Sequence, residues 1–166
     1  VIYQEAVKKA LKQGRISGYV ADVWENEPDI DPELLEIADI ATPHIAGYSV
    51  EGKANGTAAC VRAASRFFGF GIDEWHPENL PLPANQIIRI RTTGKTDEQV
   101  LLEAIDLAYD IRFDDILLRN SPEKFEEQRN HYPVRREFGA FQVELDEEKP
   151  DLREKLCELG FQLLKI

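Results

Sequence analysis

The chain has 166 residues, of which 31 are acidic and 20 are basic, so its formal net charge is −11 with histidines neutral. An acidic balance disfavours a nucleic-acid partner, because proteins that bind polyanions carry a basic patch or stripe. No apolar run approaches the ~20 residues that a membrane-spanning helix needs, and no signal-peptide pattern opens the chain. We therefore expect a cytoplasmic protein that binds neither nucleic acid nor membrane.

The cysteines, histidines and methionines bear on whether the protein has disulfides or a metal site and on whether the chain is a fragment. Cys60 and Cys157 form no CxxC motif, and the three histidines are scattered along the chain, so neither a disulfide framework nor a metal site is predicted. The sequence contains no methionine and opens on Val1. We therefore expect a chain that has been processed or that is a piece of a longer protein.

The first half of the chain alternates helical and strand patterns. Residues 4–13 have helical apolar spacing and end at Gly14, whereas residues 18–23 form a short apolar run of strand length. A short helix beginning at Pro32 and a strand at residues 39–42 follow. This order predicts an α/β fold with a parallel sheet.

A long helix is predicted over residues 50–68, and its many small residues indicate a buried helix. Residues 69–85 are dense in Gly, Pro and Asn, which favours a domain boundary there. Beyond it the pattern predicts a small βααβαβ unit: a strand at 87–91, a helix from a Thr96–Gln99 capping box to about residue 111, a helix with Ser121 as N-cap, a strand at 141–145, a helix at 151–159 and a strand at 161–166.

Polar residues that could carry chemistry stand at the ends of the first two predicted strands. Asp22 closes one strand and His44 follows the other, so both should face the crevice beyond the carboxyl ends of a parallel sheet. Histidine can take and return a proton near neutral pH, and a nearby carboxylate such as Glu27 stabilises its imidazolium form. The alternatives are a solvated or capping loop histidine and, less favoured by the pattern, a hydrolase with Ser49 or Cys60 as nucleophile.

Two segments resemble a known family. Residues 21–28 read ADVWENEP and residues 41–48 read ATPHIAGY, which is similar in order and spacing to the signature of the D-isomer-specific 2-hydroxyacid dehydrogenases. Residues 47–57, 109–119 and 132–138 resemble one branch of that family, which acts on a phosphorylated 2-hydroxy acid in vitamin B6 biosynthesis and carries an extra dimerisation domain. The resemblance extends over nearly the whole chain.

The resemblance implies a role for each matching residue. His44 would accept the proton of the substrate 2-hydroxyl while hydride passes to NAD, and Glu27 would orient and charge His44. Asp22 and Gly47 would contact the cofactor, and Tyr48 would contact the substrate. Simpler roles are open for two of them: Asp22 could cap the following loop, and Tyr48 could pack at a helix start.

The resemblance also implies a division of the chain. Residues 1–49 would be the C-terminal part of a doubly wound, Rossmann-type NAD-binding domain, and residues 50–70 would be the helix that returns to the substrate domain. Residues 71–85 would be a linker, and residues 86–166 would be a small α+β dimerisation domain that forms a homodimer. The family's glycine-rich GxGxxG turn does not occur in this sequence, so we expect the 166 residues alone to be inactive. The alternatives are another D-2-hydroxyacid dehydrogenase and a non-catalytic module for dimerisation or ligand sensing.

Overall fold

A computed structural model describes residues 2–164 and shows an α/β arrangement of helices and short parallel strands. The elements in chain order are α1 (Gln4–Lys12), β1 (Val20–Ala21), α2 (Pro32–Ile37), β2 (Ile40–Ala41), α3 (Val50–Phe68), β3 (Ile87–Ile90), α4 (Asp97–Ala108), α5 (Ile111–Asn120), α6 (Phe125–Asn130), β4 (Gln142–Leu145), α7 (Pro150–Glu158) and β5 (Gln162–Leu163). Short 3₁₀ turns occur at Pro122–Lys124 and Phe138–Ala140. Within the described residues, none of the helices combines the length and the apolar character that crossing a bilayer requires.

The chain folds as two units. Unit 1 consists of Val1–Ala46 and Asp110–Pro133, and unit 2 consists of Gly47–Tyr109 and Val134–Ile166. Residues 110–133, which lie within the predicted segment 86–166, belong to unit 1. The predicted domain boundaries stay a prediction.

Unit 1 is built around the parallel pair β1 and β2, in which Val20 lies opposite Ile40 and Ala21 opposite Ala41. Both alanines are fully buried: α5 packs against β2, and Leu34 and Leu35 of α2 belong to the same apolar cluster as the alanines. The apolar core of the unit joins residues from both of its chain segments: Val7, Ala21, Trp24, Leu34, Leu35, Ala38, Ala41, Leu118 and Phe125. The segment at 110–133 is therefore part of this core.

A buried lysine fixes α1 against the start of α2. The Lys8 ammonium lies 2.6 Å from Asp31 and 3.1 Å from Glu33, while its side chain is only 8% exposed. The hydrogen bond to Asp31 is the main cause that raises the pKa of Lys8, and the same bond holds the pKa of Asp31 below its usual value. Asp31 is also the N-cap of α2, with its carboxylate accepting from Glu33 N–H.

Unit 2 contains, among its described strands, a parallel sheet in the order β3-β4-β5. Alternate side chains of β3 and β4 form a buried cluster with α4 and α7: Ile88, Ile90, Val100, Ala104, Phe141, Val143, Leu145, Leu152, Leu156 and Phe161. The predicted Thr96–Gln99 capping box is present at the start of α4. Hydrogen bonds from Thr92, above all from its backbone N–H, hold the pKa of Asp146 below its usual value and link the ends of β3 and β4.

Several predicted elements differ from the structure, and the strands predicted at 18–23 and 39–42 are shortened to Val20–Ala21 and Ile40–Ala41. The helix expected to run to residue 111 ends at Ala108, because Asp110 caps a separate helix, α5, by accepting from Arg112 N–H. Ser121 caps no helix through its side chain, since a 3₁₀ turn precedes α6. The helix α3 was expected to be buried, but only Ala58 and Ser65 are buried along it. The last strand is shorter than predicted, and residues 165–166 lie outside the described residues.

Candidate active site

The Asp22 carboxylate holds the loop that carries His44. It follows β1 directly, and its Oδ1 accepts hydrogen bonds from Thr42 Oγ1 and from Ile45 N–H, both at 2.7 Å. Its Oδ2 accepts from Ala46 N–H at 3.1 Å. The side chain thus holds the loop at residues 42–46, rather than the loop that follows Asp22 in the chain, and its contact with a cofactor stays a prediction.

Glu27 and His44 form a hydrogen-bonded pair. The His44 Nδ1 lies 2.9 Å from Glu27 Oε2 and 3.1 Å from Oε1. Because a carboxylate only accepts, Nδ1 carries a proton in this pair, and Nε2 of the neutral ring is the nitrogen with a lone pair. The His44 side chain is 43% exposed and that of Glu27 only 19%. The carboxylate of the pair is therefore held within the protein, whereas the imidazole is accessible from solvent.

Trp24 fixes the position of Glu27 in a way that sequence patterns did not predict. Its backbone N–H donates to Glu27 Oε1 at 2.8 Å, and its indole Nε1–H donates to the Thr42 carbonyl at 2.9 Å. The indole is 5% exposed and packs in the core of unit 1. Trp24 therefore ties the loop after β1 to the loop after β2, and it does so from a buried side chain with a satisfied polar atom.

The backbone at His44 is unusual. Its φ of 55° lies in the left-handed region, which residues other than glycine seldom adopt. Such a conformation persists only where surrounding contacts over-determine it, and it is found often at functional sites. The two N–H groups that follow His44 are those held by Asp22, so the loop geometry and the histidine orientation depend on the same carboxylate.

Gly47 and Tyr48 belong to unit 2, at the approach to α3. A Cβ added at Gly47 would meet no described atom within 4 Å, and the residue lacks a positive φ, so packing within the described chain does not require glycine there. Gly52 is different, because a Cβ there would lie 2.8 Å from the Gly47 carbonyl oxygen. The Lys53 ammonium lies 4.2 Å from the centre of the half-buried Tyr48 ring.

The start of α3 is held by an ion pair and a cap. Ser49 is 1% exposed and its hydroxyl accepts from Gly52 N–H, so the residue considered as a nucleophile is the N-cap of the helix. Glu51 binds Arg136 Nε at 2.7 Å and Glu137 N–H at 3.0 Å. Burial works against ionisation of Glu51, but these two donors together hold its pKa below the usual value.

Cys60 is a free thiol on the exposed side of α3. Between residues 2 and 164, histidine, cysteine and carboxylate side chains form no group of three or more suited to a metal ion. Among the candidate residues, the hydrogen-bonded Glu27–His44 pair in unit 1 is therefore the arrangement best suited to catalysis, and the reaction it suits is proton transfer.

Two family models match parts of the chain. Residues 1–46 match the family described as the NAD binding domain of D-isomer specific 2-hydroxyacid dehydrogenases. Residues 81–160 match a family described only as a domain of unknown function (DUF3410). The first of these matches agrees, over residues 1–46, with the family predicted from the two sequence segments.

Curated proteins named erythronate-4-phosphate dehydrogenase are similar to most of the chain. The protein of Bacteroides fragilis is 45% identical over 86% of this chain and 38% of its own length. The protein of Escherichia coli O127:H6 is 38% identical over 97% of this chain and 42% of its own length, and that of Porphyromonas gingivalis is 44% identical over 84% and 37%. The chain spans about two fifths of the length of these relatives.

Proposed function

We propose that this chain contributes the proton-transfer part of an enzyme that oxidises 4-phospho-D-erythronate to (R)-3-hydroxy-2-oxo-4-phosphobutanoate with NAD, in pyridoxal 5'-phosphate biosynthesis. The observation that carries the proposal is the hydrogen bond of 2.9 Å between His44 Nδ1 and Glu27 Oε2, beyond the carboxyl ends of two parallel strands. The similarity of the chain to proteins named erythronate-4-phosphate dehydrogenase supports the choice of substrate.

In this proposal the residues of the chain bind and move one proton. His44 Nε2 takes the proton of the substrate 2-hydroxyl, because Nδ1 already donates to Glu27. The imidazolium that forms faces the Glu27 carboxylate, whose negative charge stabilises it. Bound NAD would supply the acceptor for the hydride of C2, so that the loss of one proton and one hydride would convert the alcohol into a ketone.

The roles of the neighbouring residues in this proposal come from the family resemblance, in which the glycine lets the backbone approach the cofactor closely. We propose that Gly47 lies against NAD, that Asp22 lies at its nicotinamide end while holding the His44 loop, and that Tyr48 contacts the substrate.

Turnover measurements test the proposal directly. The product of the complete gene containing this chain is expected to reduce NAD with 4-phospho-D-erythronate and to prefer it to unphosphorylated D-erythronate, whereas residues 1–166 alone are expected to show no turnover. A preference for unphosphorylated acids would instead identify another D-2-hydroxyacid dehydrogenase. Failure of the complete product with every 2-hydroxy acid tested would favour a non-catalytic module.

We also propose that the chain forms a homodimer through residues 86–166. One face of the β3-β4-β5 sheet is covered by α4 and α7, while Arg89 and Glu144 are partly exposed on the other and leave it open to a second copy. Sedimentation equilibrium of the complete gene product is expected to give the mass of a dimer. A monomer at micromolar concentration would contradict this assignment.

A further inference from the structure

The helix α5 supplies a hydrogen-bond acceptor to the edge of β2. Asp115 Oδ1 accepts from Ala41 N–H at 2.7 Å, although the two residues are 74 positions apart in the chain. Alternate backbone groups of a strand point to opposite sides, so the Ala41 N–H points away from β1, whereas the next N–H, of Thr42, donates to Ala21 O. Ala41 is fully buried, and a buried N–H without an acceptor is costly.

Arg119 holds Asp115 in place and links it to α2. The guanidinium Nε lies 2.9 Å and 3.0 Å from the two Asp115 oxygens, one turn along the same helix. Its terminal nitrogens donate to the Leu35 and Ala38 carbonyls at the end of α2, the second at 2.7 Å. A cation there satisfies carbonyls that the helix leaves unpaired. The carboxylate of Asp115 is therefore fixed relative to both α2 and β2.

This contact lies three residues before His44. Thr42 and Pro43, the two residues between Ala41 and His44, are buried. A displacement of β2 would therefore also displace His44. Leu118, on the same helix as Asp115, is fully buried in the cluster that contains Ala41 and Trp24. The His44 loop is thus bound on one side by Asp22 and supported at its base by α5.

We propose that Asp115 is a positioning residue for His44, acting through the Ala41 N–H and kept in place by Arg119. This inference rests on the proposed function, because it assigns Asp115 a part in that reaction. Asp115 contacts a backbone amide and an arginine, so its effect reaches the substrate through the orientation of the His44 ring. The proposal also assigns a role to residues 110–120, which lie within the part of the chain that matches a domain of unknown function.

Three substitutions in the complete gene product test the proposal. Asp115→Ala removes the acceptor and is expected to lower kcat about tenfold, with the KM values for NAD and acid nearly unchanged. Asp115→Asn keeps an oxygen for Ala41 N–H and is expected to restore kcat to within about threefold of the unsubstituted protein. Arg112→Ala breaks an ion pair with Asp110 at the start of the same helix and is the control, with kcat expected to stay unchanged.

Amide hydrogen exchange gives a readout that does not depend on turnover. Asp115→Ala is expected to speed exchange at residues 41–46, with little change in α1. Faster exchange throughout unit 1 would show a general stabilising role and overturn the proposal, as would an unchanged loop or an Asn variant no better than Ala. If the unsubstituted protein has no dehydrogenase activity, the proposed function fails on its own account, and the local exchange result still reports whether Asp115 holds the loop.

Discussion

Replacing His44 by asparagine is expected to lower kcat by about 10²–10⁴-fold, the range that a positioned general acid–base group contributes. Asparagine also tolerates the left-handed backbone at this position, where φ is 55°, so the loop should keep its shape. NAD affinity is expected to change little, since the substitution removes a proton acceptor rather than a cofactor contact. The measurements are steady-state kinetics with 4-phospho-D-erythronate and a binding titration with NAD.

Two further variants show what the His44 result means. Glu27→Gln is expected to lower kcat less than His44→Asn, because the glutamine oxygen can still accept from Nδ1 while the charge facing the imidazolium is lost. His76→Asn is the matched control, because His76 is an exposed histidine whose ring Nδ1 lies 3.2 Å from the Glu74 carbonyl oxygen, and the substitution should leave kcat unchanged. Turnover that survives in His44→Asn would refute the assignment of His44 as the acid–base group.

The second large effect concerns stability. Phe125→Ala is expected to destabilise unit 1 by about 3–5 kcal/mol, the usual cost of emptying a buried phenylalanine site. Phe125 is fully buried and shares its cluster with Leu34 and Trp24 from the other segment of the unit. Chemical denaturation of the protein would give the change in free energy, and faster amide exchange at residues 20–46 would show that both segments are affected.

Phe113→Ala is the control for this prediction. The Phe113 side chain is 63% exposed, and its removal is expected to change the free energy of unfolding by no more than about 0.5 kcal/mol. Unfolding should be measured at two protein concentrations, because a dependence on concentration would report association rather than folding. An effect of Phe125→Ala confined to residues 110–133 would contradict a shared core.

Local patterns were sufficient where local chemistry decides the structure. The Thr96–Gln99 box and the end of α1 before Gly14, whose φ is 65°, depend on residues within a few positions of each other. The placement of Asp22 and His44 beyond two strand ends also followed from the order of the elements. The pairing of Glu27 with His44 came from the family resemblance, since 17 positions separate them and no periodicity relates them.

Patterns could not provide the contacts that join distant segments. The apolar spacing of α4 continues past its end, so only the hydrogen bond from Arg112 N–H to Asp110 separates it from α5. The bond between Asp115 and Ala41 N–H has no sequence signal at all, because it depends on how α5 packs on β2. The small residues of α3 predicted burial, yet most of them are exposed among the described residues. Alanine-rich composition sets helix propensity but does not by itself specify a covering partner.

The division of the chain into Val1–Ala46 with Asp110–Pro133 and Gly47–Tyr109 with Val134–Ile166 has a consequence for biosynthesis. A protein is synthesised from its N-terminus, so β1 and β2 leave the ribosome well before Leu118 and Phe125. These two residues complete the apolar core that contains Ala21 and Ala41. During that interval the apolar surface of the first segment has no α5 to cover it. The interrupted order also makes the contacts of unit 1 long in sequence, which slows folding relative to a unit formed from one continuous segment.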